Sequence, residues 1–156
     1  MIVADTNLIV YWLCEYPVTE EARKIRSTEP EWVVPPIWRH ELANTLVSMV
    51  RAEALTAGDA LSVMGVAESA LQQAEQTVSM RDALSLAVQS DVTAYDAEFI
   101  VLARRMGIRC VTEDKKLLLK FPETTVSMRE YLNPVSRPEK IKERKAAYGR
   151  LKKKTG

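Results

Sequence analysis

Asp5, Glu41, Asp96 and Asp114 are the residues whose type and position point to chemistry. Asp5 interrupts an apolar opening, "MIVADTNLIV", directly after Ile2, Val3 and Ala4. Asp114 follows "IRCVT" with only Glu113 between. Both acids stand just beyond a short apolar run that reads as a buried strand, and open parallel sheets bind ligands outside the C-terminal ends of their strands. Glu41 falls within the first turn or two of a helix that follows "WVVPP", and Asp96 in the first turn of a helix after Thr93. Four carboxylates from four segments are therefore expected at one sheet edge. Ionised together they raise one another's pKa steeply, and a divalent cation removes that conflict. Oxygen donors without His or Cys select Mg²⁺ or Mn²⁺. One or two such ions activate a water and stabilise a leaving oxygen, which is the chemistry of phosphodiester hydrolysis.

Each acid also has a plain structural role open to it. Asp5 can cap the first helix and Asp114 the helix through Leu117 to Leu119. Asp96 and Glu41 can be acids favoured near a helix N-terminus by the helix dipole. Asn7 and Thr112 can be simple turn residues. What singles out the set is that Asp5 and Asp114 share a sheet edge while the other two occupy matching places in their own elements.

The elements that must position these residues follow from periodicity. Ile2–Ala4, "WVVPP", "IRCVT" and "TTV" near residue 125 read as short buried strands. Helices are expected over Leu8–Leu13, from Thr19, from about Ile37, from Thr56 to about Gln76, and from Ala94 to Met106. Leu42, Leu46, Met49 and Val50 recur at helical spacing, so that face is buried. Thr56 with Asp59 has the form of a capping box, and Gly107 suits the left-handed position after a helix. "TVSMRDAL" at Thr77 and "TVSMREYL" at Thr125 echo each other; both are read as a Thr-Val strand meeting a capping serine with an acid three residues on. The order of elements predicts an α/β fold, a central parallel sheet of four to five short strands with helices on both faces.

Composition narrows the function. The chain has 156 residues, 47% hydrophobic and 28% charged, which is one globular domain with a sizeable core. Cys14 and Cys110 form no CxxC pair and His40 is the single histidine, so a Cys/His zinc site lacks ligands. His40 reads as a helix-surface residue rather than a base. Five glycines make no phosphate-binding loop, which argues against a nucleotide cofactor. No apolar run is long enough for a membrane span and the N-terminus lacks signal-peptide features, so a cytoplasmic location is expected. The net charge of +1 hides an asymmetry: residues 137–156 carry nine Lys/Arg and two Glu, so an acidic body bears a basic end. That end reads as a packing or disordered tail, or as an arm for RNA phosphate with salt-dependent binding.

The motifs resemble those of PIN domains, especially VapC-type toxins. "VADTNLIVYWL" is similar to the family's N-terminal motif, "TAYDAEFIVLARRMGIRCVTEDKKLL" to its C-terminal motif, and "RHELANTL" to the helix carrying its glutamate. The likeness runs in order from about residue 1 to 132. It implies a three-layer α/β/α domain over residues 1–133, followed by a basic extension, helical or disordered, over 134–156. It further implies an Mg²⁺- or Mn²⁺-dependent ribonuclease with Asp5, Glu41, Asp96 and Asp114 as catalytic metal ligands. Asn7 and Thr112 match supporting positions that orient Asp5 and Asp114. Glu98 and Glu113 are additional acids, with Glu113 expected to face solvent. A homodimer and a small antitoxin partner are implied by the family. The competing readings are a non-catalytic PIN-like module that binds RNA or protein, and a phosphatase or phospho-receiver. The phosphatase pattern wants an acid where Asn7 stands, and no acid pair precedes Asp5 as a receiver would need.

Overall fold

The computed structural model describes residues 1–134. The basic segment read from the sequence lies outside them. The chain runs β1 (Ile2–Ala4), α1 (Thr6–Leu13), α2 (Thr19–Thr28), β2 (Trp32–Val33), α3 (Trp38–Arg51) and α4 (Ala57–Leu71) with a 3₁₀ turn (Gln72–Ala74). Then come α5 (Met80–Ser90), α6 (Ala94–Met106), β3 (Cys110–Val111), α7 (Lys115–Lys120), β4 (Thr125–Val126) and α8 (Met128–Leu132). Four parallel strands lie in the order β2-β1-β3-β4. Every strand residue is buried, as expected when helices cover both faces of a parallel sheet. This is the three-layer α/β/α arrangement expected of the sequence, with four strands.

Register does the positioning. Val3 pairs with Val33 on one side and Cys110 on the other, and Ala4 pairs with Val111. The residues that follow, Asp5 and Thr112, are thereby brought side by side at the carboxyl edge. The Asp5 N–H continues the ladder by donating to the Val111 carbonyl at 3.2 Å. α6 packs directly on β1 and β3, with α5 paired to it through Ala83, Ala87 and Ala97, small residues that let the two helices approach. α1 lies against α2, α3 and α4, and Leu8, Ile9 and Trp38 are fully buried between these elements and the sheet.

Local signals account for the helix ends. α4 and α6 both open with complete capping boxes, Thr56 with Asp59 and Thr93 with Asp96. Gly107 takes a left-handed φ of 67° and closes α6. Two expectations are corrected. Thr77 and Val78 form no strand, because the preceding backbone takes the available edge: Val34 donates to Ala74 O and Gln76 donates to Val34 O, a single parallel bridge centred on Glu75. α4 accordingly ends at Leu71 rather than near Gln76. Ser79 still caps α5, and the second copy of the motif keeps both its strand and a full capping box, Ser127 with Glu130. Among the described residues no helix is long and apolar enough to cross a membrane.

Candidate active site at the carboxyl edge of the sheet

Asp5 is the structural centre of the edge. It is 7% exposed, and both carboxylate oxygens are engaged. Oδ1 accepts from the Thr6 N–H at 2.7 Å, which caps α1. Oδ2 accepts from Asn7 Nδ2 at 2.6 Å and from the Thr112 hydroxyl. The capping reading is therefore correct but accounts for one oxygen only. Asn7 does more than close a turn. Its Nδ2 also donates to Thr112 Oγ1 at 3.0 Å and its Oδ1 accepts from the Glu113 N–H at 3.2 Å, so one side chain ties the end of β1 to the end of β3. Thr112, fully buried, accepts in turn from the Asp114 N–H at 3.0 Å.

Glu41 projects from the first turn of α3 toward the same place, and Thr6 Oγ1 donates to its Oε2 at 2.5 Å. Thr6 is thus a neighbour of the candidate acids that sequence reasoning passed over, although it stood inside "DTN". The signal was faint: its side chain matters because α3 folds over α1, a contact between residues 35 positions apart.

The carboxyls share one electrostatic environment. Burial, reinforced by the charges of Glu41 and Asp96 and opposed by the Thr112 and Thr6 hydrogen bonds, pushes Asp5 from 3.8 up to about 7. Burial also raises Glu41, against the Thr6 hydrogen bond, with Asp96 and Glu98 adding to the rise. Glu98 is itself 7% exposed and raised by burial, so it belongs to the acidic surroundings of Glu41 rather than to the surface. Tyr11, on the wall beside Asp5, is raised by burial and then by Glu113.

The other two candidates sit differently. Asp96 shares the field of Asp5 and Glu41, while its Oδ2 accepts from Thr93 Oγ1 at 2.7 Å and the Thr93 N–H at 3.3 Å. Asp114 is exposed, and its Oδ1 accepts from the Leu117 N–H at 2.9 Å, capping α7. It is joined to Asp5 only through its own backbone N–H and Thr112. Glu113 does not face solvent as expected. It is half-buried, and its Oε1 accepts from the Met128 N–H at 2.7 Å, because β4 runs beside β3 and delivers the start of α8 to it.

Among the described residues no three acidic, His or Cys side chains stand grouped as a finished metal cage. The donor chemistry nonetheless fits a hard divalent cation. Asp5 and Glu41 offer carboxylate oxygens on a cavity of about 450 Å³, and Asp96 adds charge to the same field. A cation there offsets the burial and like-charge repulsion that push Asp5 and Glu41 upward.

The family model for the PIN domain matches residues 2–122, a span that includes all four candidate acids. The chain belongs to the PIN domain family. A curated relative, Ribonuclease VapC3 of Pyrobaculum aerophilum, is 28% identical over 124 residues, covering 78% of this PIN chain and 95% of that protein. The crystal structure of PAE2754, also from Pyrobaculum aerophilum, superposes with a TM-score of 0.64 at 20% identity. It covers 85% of this chain and 96% of that one, a likeness of fold. In this PIN domain the N-terminal motif and the C-terminal motif are welded together by Asn7 and Thr112.

Proposed function

We propose that this PIN domain is a divalent-metal-dependent endoribonuclease that hydrolyses RNA phosphodiester bonds and acts as the toxin of a toxin–antitoxin pair. The observation that carries this reading is Asp5: a carboxyl buried at a strand end, fixed by three hydrogen bonds from two motifs, and facing Glu41 across a solvent-open cavity. The likeness to a protein named Ribonuclease VapC3 supports RNA as the substrate and an antitoxin as a partner. Asp5 and Glu41 would hold the metal, with Asp96 and Asp114 completing the acidic set. Mg²⁺ keeps several of its waters, so an acid that remains in a cap can act through one of them. When bound, Mg²⁺ or Mn²⁺ lowers the pKa of a water and neutralises charge on the phosphate.

The protein's own part is positioning. The β1 ladder holds Asp5 rigid, Asn7 and Thr112 fix its carboxylate plane, and Thr6 aims Glu41 at the same cavity. Residues 1–133 form the nuclease domain and 134–156 a basic extension; the assembly is a cytoplasmic homodimer.

Purified protein is expected to cleave single-stranded RNA with Mg²⁺ or Mn²⁺ and to stop when EDTA is added. RNA binding without cleavage, in metal-loaded protein, points instead to a non-catalytic binding module. Asn7→Ala is expected to weaken metal-dependent cleavage by about 10- to 100-fold, the usual cost of losing a group that orients a ligand. Cleavage at the wild-type rate across a metal titration leaves Asn7 a turn residue only.

A further inference from the structure

The cavity over Asp5 does not end at Glu41. A second cavity, also of about 450 Å³, adjoins it, and Glu41 and Asn44 line both. Tyr11 and Tyr16 form part of the wall of the first, His40 and Tyr95 part of the wall of the second. Tyr16 is 37% exposed and Tyr95 57% exposed. An aromatic ring therefore stands open to solvent on each side of the acidic centre.

Tyr16 is held in place. The Tyr11 and Tyr16 rings form a T-shaped pair with centroids 5.1 Å apart, the Tyr16 N–H donates to Thr19 Oγ1 at 2.8 Å, and the Tyr16 hydroxyl lies 3.9 Å from Met49 Sδ. Tyr95 sits on the first turn of α6 beside Asp96, behind the Thr93 cap that fixes that turn.

The charge on these walls has the wrong sign for gripping a phosphate backbone. Among the described residues no lysine or arginine lines either cavity, and Asp5 and Glu41 line the first. Neutralisation of phosphates by basic side chains, the usual source of nucleic-acid affinity, is thus not supplied by the described residues of this groove. What the walls do offer is exposed aromatic rings, and stacking on aromatic side chains is the common way to hold unpaired bases.

We propose that Tyr16 and Tyr95 are specificity-determining residues whose rings stack on the bases of the nucleotides flanking the scissile phosphate at the Asp5–Glu41 edge. This rests on the nuclease reading above and adds to it where the substrate's bases lie. Recognition through base faces admits single strands and excludes duplexes, in which those faces are already stacked and paired.

The test separates binding from cleavage. Fluorescence anisotropy with a labelled single-stranded oligoadenylate, in EDTA so that no cleavage occurs, is run on the full chain carrying Tyr16→Ala, Tyr95→Ala and the corresponding Phe substitutions, with thermal melts confirming the fold. Each Ala variant is expected to lose affinity by about 10-fold, Phe to restore most of it, and an RNA duplex to bind weakly throughout. The dependence of affinity on salt is expected to be the same in the Ala variants, since no phosphate contact is removed. In Mg²⁺ the loss falls on KM rather than kcat. Ala variants that bind and turn over like the wild type overturn the proposal, as do Phe variants that lose as much as Ala, or an equal loss toward duplex. If no RNA is cleaved under any metal while the tyrosine dependence persists in EDTA, the nuclease reading falls and the stacking track stands.

Discussion

Asp5→Asn is expected to abolish metal-dependent RNA cleavage, lowering the rate by about 10³-fold or more at saturating Mg²⁺. Asn matches Asp in size, so β1 and its pairing with β3 are undisturbed. What is lost is charge at the one acid whose oxygens are both fixed by the fold. The substituted amide also meets two donors, the Asn7 amide and the Thr112 hydroxyl, with at most one acceptor, so the local network is rearranged as well as neutralised. Single-turnover cleavage of a labelled RNA, with thermal unfolding as the control, checks this. A variant that folds and still cleaves within about tenfold of wild type removes Asp5 from the catalytic set.

The second large effect is on stability. Asp5 ionises at about 7 in the folded chain against 3.8 as an ordinary aspartate, and a folded-state pKa above the unfolded value means that the native state holds its proton longer. Its contribution is complete below about pH 4 and is lost as pH rises to about 7, because the unfolded chain ionises first. The interval corresponds to about 4 kcal/mol of preference for the neutral acid, and the rise at Glu41 acts in the same direction. Metal-free protein is therefore expected to melt on the order of 10 °C lower at pH 7.5 than at pH 5. Asp5→Asn flattens most of that slope. Mg²⁺ added at pH 7.5 restores part of the melting temperature by binding the folded state alone. A wild-type profile in EDTA that is flat, or that rises with pH to the same degree in both proteins, contradicts the account.

Both expectations concern a candidate site whose acids stand out in the sequence. Asp5 and Asp114 were legible because a carboxylate just beyond a run such as Ile2–Ala4 or "IRCVT" breaks the pattern of a buried strand. Asp96 was legible as an acid in the first turn of a helix, after Thr93. Glu98 and Glu113 were read only as additional acids, and Thr6 and the two tyrosines were not read at all. Nothing in the local sequence of Glu113 says that β4 will bring the Met128 N–H to it, and nothing near Tyr16 says that Glu41 lies across the cavity. Asp114 shows the converse: the sequence left open both a ligand at the edge and a cap for the next helix, and the fold turns its carboxylate into the α7 cap.

The repeated "TVSMR" marks the dividing line. By itself the sequence determined the periodicity of the helices, the apolar strands, the serine and threonine caps, Gly107 at a left-handed turn and the acidic charge of the body, because each depends on side-chain chemistry within a few residues. Only the tertiary structure decided that Thr125 and Val126 become a strand while Thr77 and Val78 do not. Backbone hydrogen bonds need a partner: β3 offers Cys110 and Val111 to the former, whereas Val34 has already been taken by the backbone of Ala74 and Gln76. The same holds for the site, where Asn7 acquires its meaning from Thr112, 105 positions away, once parallel pairing of β1 and β3 has set the two side by side.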